Sequence, residues 1–230
     1  MNAASSLNLY CFWTGDNLMK KDRLDALNSL KNTGLNVILI TQYNLKNYLH
    51  PDFPLHPTYN YLSAVHRADY LRTYFMHIYG GAYSDIKFTT FDWTLAYTNF
   101  LSSSCIACGY TEPSFQGVEG RNIFEKVKLK IHYKKLIGNC AYIFKKNTDF
   151  TQEWYYQMIS VLDKHEKNLY LNPANVPEDH FNKLINGKRS NYPLRWTEML
   201  GNIFHPLCYK YRNIILHELP TPDFIKSKYL

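Results

Sequence analysis

The sequence contains no long apolar run and few of the residues that characterise fibrous or disordered proteins. Its longest unbroken apolar stretches, Leu9 to Trp13 and Cys140 to Phe144, have five residues each, whereas a membrane-spanning helix needs about 20. Glycine and proline number only 10 each, and the apolar share is 46%. These values exclude a collagenous or disordered chain and predict a globular protein without a transmembrane helix.

The N-terminal residues do not have the pattern of a secretory leader, and the cysteines do not form a paired set. The start MNAASSLNLYCFW has neither the basic residues nor the apolar stretch of a signal peptide, so we expect a cytoplasmic protein. The five cysteines are scattered and odd in number, which indicates reduced thiols rather than disulfides. Cys105 and Cys108 form a CxxC, but no second pair completes a zinc site, so we expect a structural role in the core.

Positive charge and aromatic side chains are in excess. The formal net charge is +7, and the densest basic cluster lies between residues 126 and 135. Such a charge is compatible with nucleic acid, an anionic membrane surface or a phosphorylated small molecule, while the cluster alone is most simply a solvated face. The 20 Tyr, 13 Phe and 4 Trp residues favour a ligand that stacks, such as a sugar or a base.

The order of the predicted elements indicates one α/β domain spanning residues 1–230. A strand over Leu7–Trp13, a helix over Lys20–Lys31 and a strand over Asn36–Thr41 make a βαβ start. No internal repeat or linker interrupts the rest of the chain. The further predicted elements are a helix over 59–79, a strand over 82–90, strands near 104–110 and 138–145, a helix near 149–166, a loop at 170–178 and a helix near 179–186.

The end of the long helix and the strand after it carry the clearest chemistry. Asp69 and Arg72 lie about 60° apart on a helix, at the edge of its apolar stripe. Gly80-Gly81 allows a sharp reversal into the next strand, from which Asp85 and Lys87 project on the same side. Taken singly, these features are also explained by a surface ion pair and a helix stop. Together they are typical of a ligand site.

Three motifs in this region resemble those of glycosyltransferases with a sugar-binding DXD region, namely the capsular polysaccharide synthesis type and the glucosyltransferase domains of the large clostridial toxins. The matching residues are Ala68-Asp69-Tyr70-Leu71-Arg72, Gly80-Gly81 and Tyr83-Ser84-Asp85-Ile86. The resemblance implies a GT-A-type fold, in which a Rossmann-like, mixed but mainly parallel sheet is flanked by helices. It also implies a nucleotide-sugar-binding half over about 1–90 and an acceptor-side half over about 91–230.

The resemblance further implies roles for individual residues. In the family, an aromatic residue and backbone groups after the first strand receive the nucleotide base, and the helix Asp and Arg hold hydroxyls of the donor sugar. The first Asp of the DXD region meets ribose, sugar and metal-bound water, and a later strand passes near the donor. The donor-binding residues implied here are Trp13, Thr14, Gly15, Asp69, Arg72, Ser84, Asp85 and Asn139.

Lys87 stands where the family has its second aspartate, which is a metal ligand. An ammonium group cannot coordinate a cation. Either Lys87 replaces the metal and faces the negative charge that develops on the donor diphosphate, or the site is degenerate and only binds. We favour the first interpretation, and with it independence from metal. The third arrangement is Mn²⁺ or Mg²⁺ held by Asp85 together with His205 or His217.

Candidates for acid–base chemistry on the acceptor side lie in the C-terminal half. An inverting transfer needs a carboxylate to deprotonate the acceptor hydroxyl, and the candidates are Asp179 and Glu198. A retaining transfer demands no strong protein base. Asp179 equally suits a helix cap, and Trp196 suits either a platform that stacks on a sugar or a place in the core.

The residues and the resemblance together predict an enzyme of glycan biosynthesis that moves a sugar, from a UDP-sugar in preference, to a carbohydrate acceptor. The predicted catalytic residues are Asp85, Lys87, Asp179 and Glu198. One alternative is a nucleotide-sugar- or glycan-binding module that has lost catalysis, and another is a nucleic-acid-binding protein. We expect no nucleic acid as partner, whereas peripheral contact with an anionic membrane is compatible with the charge.

Overall fold

A mixed six-stranded sheet forms the centre of the computed structural model, which describes residues 7–224. The strands are β1 (Asn8–Trp13), β2 (Asn36–Thr41), β3 (Gly81–Ser84), β4 (Ala107–Thr111), β5 (Ile137–Phe144) and β8 (Ile215–Leu216), and a separate hairpin pairs β6 (Leu184–Ile185) with β7 (Lys188–Arg189). The strand order in the sheet is β2-β1-β3-β5-β4-β8, and within it only β5 runs antiparallel to the others. The predicted α/β class with a mainly parallel sheet is therefore confirmed.

Helices cover both faces of the sheet, so β1 alternates between two cores. Tyr10 and Phe12 face one core, and Leu9 and Cys11 face the other, as the two-residue period of a strand requires. The helices are α1 (Lys21–Ser29), α2 (Ala64–Ile78), α3 (Thr94–Ser102), α4 (Ile123–Ile131), α5 (Asp149–Leu171) and α6 (Gly201–Lys210). Side chains of α2, α5 and α6 fill the first core, and those of α1 and α3 fill the second.

The boundaries of α2 follow from its capping residues. Ser63 is extended and accepts a hydrogen bond from the His66 N–H, so the helix begins at Ala64 and not at Tyr59 as predicted. Gly80 has φ 64° and Gly81 has φ 93°, and a Cβ on Gly80 would lie 2.7 Å from the backbone nitrogen of Lys146. Only glycine tolerates both restrictions, which explains how the chain reverses from α2 into β3.

Two predicted elements are wrong. The strand expected to reach Thr90 ends at Ser84, because the chain turns tightly there and the Lys87 N–H donates to the Asp85 carbonyl at 2.7 Å. The helix expected near 179–186 is absent, and the β6–β7 hairpin occupies its end. Asn186 and Gly187 form the hairpin turn with φ 49° and 79°, a conformation that an Asn-Gly pair favours.

The sequence-based assignment also missed α3 and α4, and α5 extends five residues beyond its predicted end near 166. Cys108 is buried in β4, with Cys105 just before that strand, which agrees with the structural role expected of this pair. Among residues 7–224, no helix combines the length and the apolar composition that crossing a bilayer requires.

Candidate functional site

The candidate site lies at the carboxyl ends of β1 and β3. These strands are parallel neighbours, and β2 lies on the other side of β1. The connection from β1 therefore runs to one side to reach β2, and the connection from β2 crosses to the other side of β1 to reach β3. Such a switch point opens a crevice at the carboxyl edge of the sheet, where ligands of open α/β sheets bind. Trp13 ends β1 and Asp85 follows the end of β3, which places both at this edge.

A buried cluster of charges occupies the edge. Arg72 of α2 donates from Nη2 to Oδ1 of Asp85 at 2.8 Å, and its Nε lies 3.7 Å from Oδ1 of Asp69. Arg72 also donates from Nη1 to the carbonyl of Asn139 on β5 at 3.2 Å. Asp69, Arg72 and Asp85 are between 3% and 8% exposed. The alternative explanation of this spacing, a surface ion pair, is therefore excluded, because Arg72 joins α2 to β5 and to the end of β3 inside the protein.

Two tyrosines complete the cluster. The Tyr83 hydroxyl donates to Oδ1 of Asp85 at 2.6 Å, and the Arg72 guanidinium lies 4.8 Å from the centre of the Tyr83 ring. Tyr142 of β5 is the register partner of Tyr83, and the two ring centres are 5.2 Å apart. Among the described residues the buried Tyr142 hydroxyl has no hydrogen-bond partner. Sequence reasoning missed Tyr142, because its position depends on the pairing of β3 with β5.

Burial sets the protonation of the cluster. It raises the pKa of Asp69 to about 7, with the charge of Asp85 adding to the rise and that of Arg72 opposing it. Burial alone would lower the pKa of Arg72, but Asp85 and the other neighbours raise it well above its ordinary value. Arg72 is thus a permanent cation bound closely to Asp85, while the longer contact to Asp69 leaves that carboxyl ready to take up a proton near neutral pH.

Lys87 is buried beneath the C-terminal segment. It is 2% exposed, and its Nζ lies 4.9 Å from the centre of the Phe224 ring. The segment is held against β4, since the Leu219 N–H donates to the Gly109 carbonyl at 3.2 Å and the Phe224 ring centre lies 6.3 Å from that of Tyr110. The Phe224 ring thus lies beside the buried Lys87 side chain, and we expect that it must move before a ligand reaches Lys87.

The strand alternation that predicted a common side for Asp85 and Lys87 does not apply, because β3 ends before both residues. The two charges nevertheless border the same thiol. Burial raises the pKa of Cys140 to about 12, with Asp85 raising it further and Lys87 and Arg72 opposing the rise. The Asp85 N–H also donates to the Cys140 carbonyl at 2.7 Å, so Asp85, Lys87 and β5 surround one small region.

The remaining donor-binding candidates lie on segments that adjoin this region. The Trp13 indole donates to the Asn17 carbonyl at 2.8 Å and so fixes the loop after β1. The Thr14 hydroxyl donates to the Ala64 carbonyl at 2.8 Å, which ties that loop, with Gly15 in it, to the start of α2. Ser84 is buried, and its hydroxyl donates to the Asp85 carbonyl at 2.8 Å. Their roles towards a nucleotide remain predictions.

The acceptor-side candidates each contact other residues of the C-terminal half. Asp179 is fully buried and begins no helix, so a helix cap is the wrong explanation; its Oδ2 accepts from the Asn175 N–H at 2.9 Å. Within the described chain its Oδ1 has no partner. Glu198 accepts from the Arg195 N–H at 3.0 Å and lies 3.1 Å from His165 Nε2. Trp196 is 44% exposed and packs edge-on against His180.

The three residues named as candidate metal ligands, Asp85, His205 and His217, all contact other residues in the structure. Oδ1 of Asp85 already accepts from both Arg72 and Tyr83. His205 Nδ1 accepts from the Glu119 N–H at 3.1 Å, and His217 contacts Thr111 at 3.0 Å. In the part of the chain that the structure describes, no three His, Cys, Asp or Glu side chains form a group suited to a metal ion.

Comparisons with known proteins return little. No protein-family model matches the chain, and no curated protein matches it. Among solved structures, the chain is similar to one named PaToxG Glycosyltransferase, with a TM-score of 0.39 and 14% sequence identity over 71% of this chain. The match spans 62% of that protein. The functional assignment therefore depends on the chemistry of the site itself.

Proposed function

We propose that the protein is a glycosyltransferase that moves a sugar from a nucleoside-diphosphate donor, UDP-sugar in preference, to a carbohydrate acceptor. The observation that carries the proposal is the buried Asp69–Arg72–Asp85 cluster at the switch point between β1 and β3. Burying charges is costly unless they are closely paired or serve a ligand. Here Arg72 lies 2.8 Å from Asp85 but 3.7 Å from Asp69. The buried charge of Asp69 is therefore the less well paired of the two, and hydrogen bonds from a polar ligand would stabilise it.

In this proposal the nucleotide lies across the ends of β1 and β3. The base packs against Trp13, and the sugar hydroxyls donate to Asp69. A carboxylate is a strong acceptor for such hydroxyls. The pKa of Asp69, raised to about 7 by burial, falls when hydroxyl donors reach it, because hydrogen bonds to the charged form favour that form.

In this proposal Lys87 takes the role that the metal ion has in the family that the sequence resembles. Its ammonium group would lie against the donor diphosphate and stabilise the charge that develops as the sugar leaves. The donor set around Asp85 supports this arrangement, since its Oδ1 is shared by Arg72 and Tyr83. Because Phe224 covers Lys87, donor binding requires the ring to leave, and the diphosphate would replace it.

A calorimetric screen tests the proposal against its alternatives. The ligands are UDP, GDP, their common sugars and a short polynucleotide, each with EDTA and with Mn²⁺. The proposal predicts that a UDP-sugar binds in EDTA and binds more tightly than the polynucleotide. Tight polynucleotide binding with a steep salt dependence would contradict it. Binding of a nucleotide sugar without any turnover would instead assign the chain to the binding-module class.

A further inference from the structure

Helix α4 exposes most of its apolar side chains to solvent. Ile123, Phe124, Val127 and Ile131 are 65%, 86%, 50% and 72% exposed, and together we call them the α4 apolar face. Leu129 is 1% exposed and is the only residue of this helix that is fully buried. An exposed cluster of this kind marks an interaction surface more often than a scatter of single residues does.

The α4 apolar face points away from the protein. At about 100° per residue, its four side chains fall within an arc of about 100° on the helix. The centre of that arc lies roughly 170° from Leu129, the side chain that anchors the helix to the core. The four apolar side chains are therefore not packed into the core formed by the described residues, and the helix turns its apolar side towards solvent.

Lysines border the α4 apolar face on both sides. On the same helical projection, Lys128 lies about 40° beyond one end of the arc and Lys130 about 20° beyond the other. Lys134 and Lys135 follow in the next turn and are exposed. Of the lysines between 126 and 135, only Lys126 forms an ion pair with another residue of the described chain, at 2.7 Å from Glu119. The border of the face is thus positively charged.

We propose that α4 docks the protein on an anionic lipid bilayer. The helix lies in the plane of the interface, with the α4 apolar face in the boundary between headgroups and acyl chains and the lysines against lipid phosphates. An apolar arc flanked by lysines fits the apolar acyl chains and the anionic headgroups of one leaflet. The proposal does not depend on the nature of the donor site.

Charge and apolar exposure together favour a bilayer over other occupants. A nucleic acid would pair with the lysines but leave Phe124 and Ile131 in water. A second copy of the chain would cover the apolar residues, but a symmetric contact places Lys128 and Lys130 of one copy near those of the other, where like charges repel. A bilayer with anionic headgroups covers the apolar side chains and also pairs with the lysines.

Sedimentation with vesicles tests the proposal. The vesicles are phosphatidylcholine alone and phosphatidylcholine with phosphatidylserine, and the wild type should bind only the second kind strongly. The double variant Phe124→Ser/Ile131→Ser should bind at least roughly tenfold less tightly, because it loses the free energy of transferring two apolar side chains from water into the bilayer. Lys134→Glu/Lys135→Glu should weaken binding by a similar factor and reduce its dependence on salt.

A matched control separates the α4 face from general surface hydrophobicity. Leu95 and Leu101 of α3 are 73% and 47% exposed, and Leu95→Ser/Leu101→Ser should bind vesicles as the wild type does. Circular dichroism checks that every variant is folded. The proposal fails if the wild type ignores anionic vesicles, or if Phe124→Ser/Ile131→Ser binds them normally. It also fails if the wild type is a dimer that this variant converts to a monomer, because the face then belongs to a second copy.

Discussion

Replacing Asp69 with Asn should remove a cost to stability that grows with pH. Burial raises the pKa of Asp69 from 3.8 to about 7 in the folded chain. Between these values the folded state keeps a proton that the unfolded state has lost, so the stability of the folded state falls as the pH rises. From about pH 5 to about pH 8 the wild type should lose about 2–3 kcal/mol relative to Asp69→Asn, since one pKa unit corresponds to about 1.4 kcal/mol.

The difference between the two proteins isolates this one group. Arg72 stays charged throughout, because its pKa is raised well above its ordinary value, so the altered contact with position 69 shifts the curves by a constant. Burial also raises the pKa of Glu112 to about 7, but Glu112 titrates in both proteins and cancels. Urea unfolding followed by circular dichroism across this pH range gives the measurement. If the stability of the wild type and of Asp69→Asn changed in parallel with pH, Asp69 would not carry a raised pKa in the folded chain.

Three further predictions concern neighbouring residues. Arg72→Ala should destabilise the fold by about 3–5 kcal/mol in urea unfolding, because it leaves Asp85 buried without its cation; unchanged stability would mean that water reaches the cluster. Trp13→Ala should weaken the calorimetric affinity for UDP and UDP-sugar alike, and unchanged UDP affinity would place the base elsewhere. Phe224→Ala should tighten UDP-sugar binding, since no ring has to leave Lys87, whereas equal affinity would show that the C-terminal segment does not close the site.

The first half of the site could be predicted because its signals are local. Asp69 and Arg72 lie in one helix, Gly80-Gly81 ends it, and Asp85 directly follows the next strand, so periodicity and glycine chemistry are enough to place them close together along the chain. The hairpin around Asn186 was predictable in the same way, because Asn-Gly between short strands is a hairpin signal. The helix predicted there is wrong, because the left-handed backbone of Asn186 and Gly187 reverses the chain.

The rest of the site depends on contacts between distant parts of the chain. Tyr142 reaches the cluster only because β5 runs antiparallel beside β3, and Phe224 reaches Lys87 only because the C-terminal segment follows β4. Neither pairing leaves a periodic trace in the sequence. The depth at which Arg72 lies was missed for the same reason, since an Asp/Arg pair three residues apart has the same pattern on a surface and in a core.

Release of UDP from a UDP-sugar in EDTA tests the central claim most directly, with wild type, Lys87→Ala and Lys146→Ala compared. Lys146 is exposed, so Lys146→Ala controls for the loss of a positive charge as such. We predict that the wild type and Lys146→Ala turn over alike, whereas Lys87→Ala is slower by about 100- to 1000-fold, the range for one lost preorganised donor. No release by the wild type under any condition, or equal rates for the wild type and Lys87→Ala, would contradict the account.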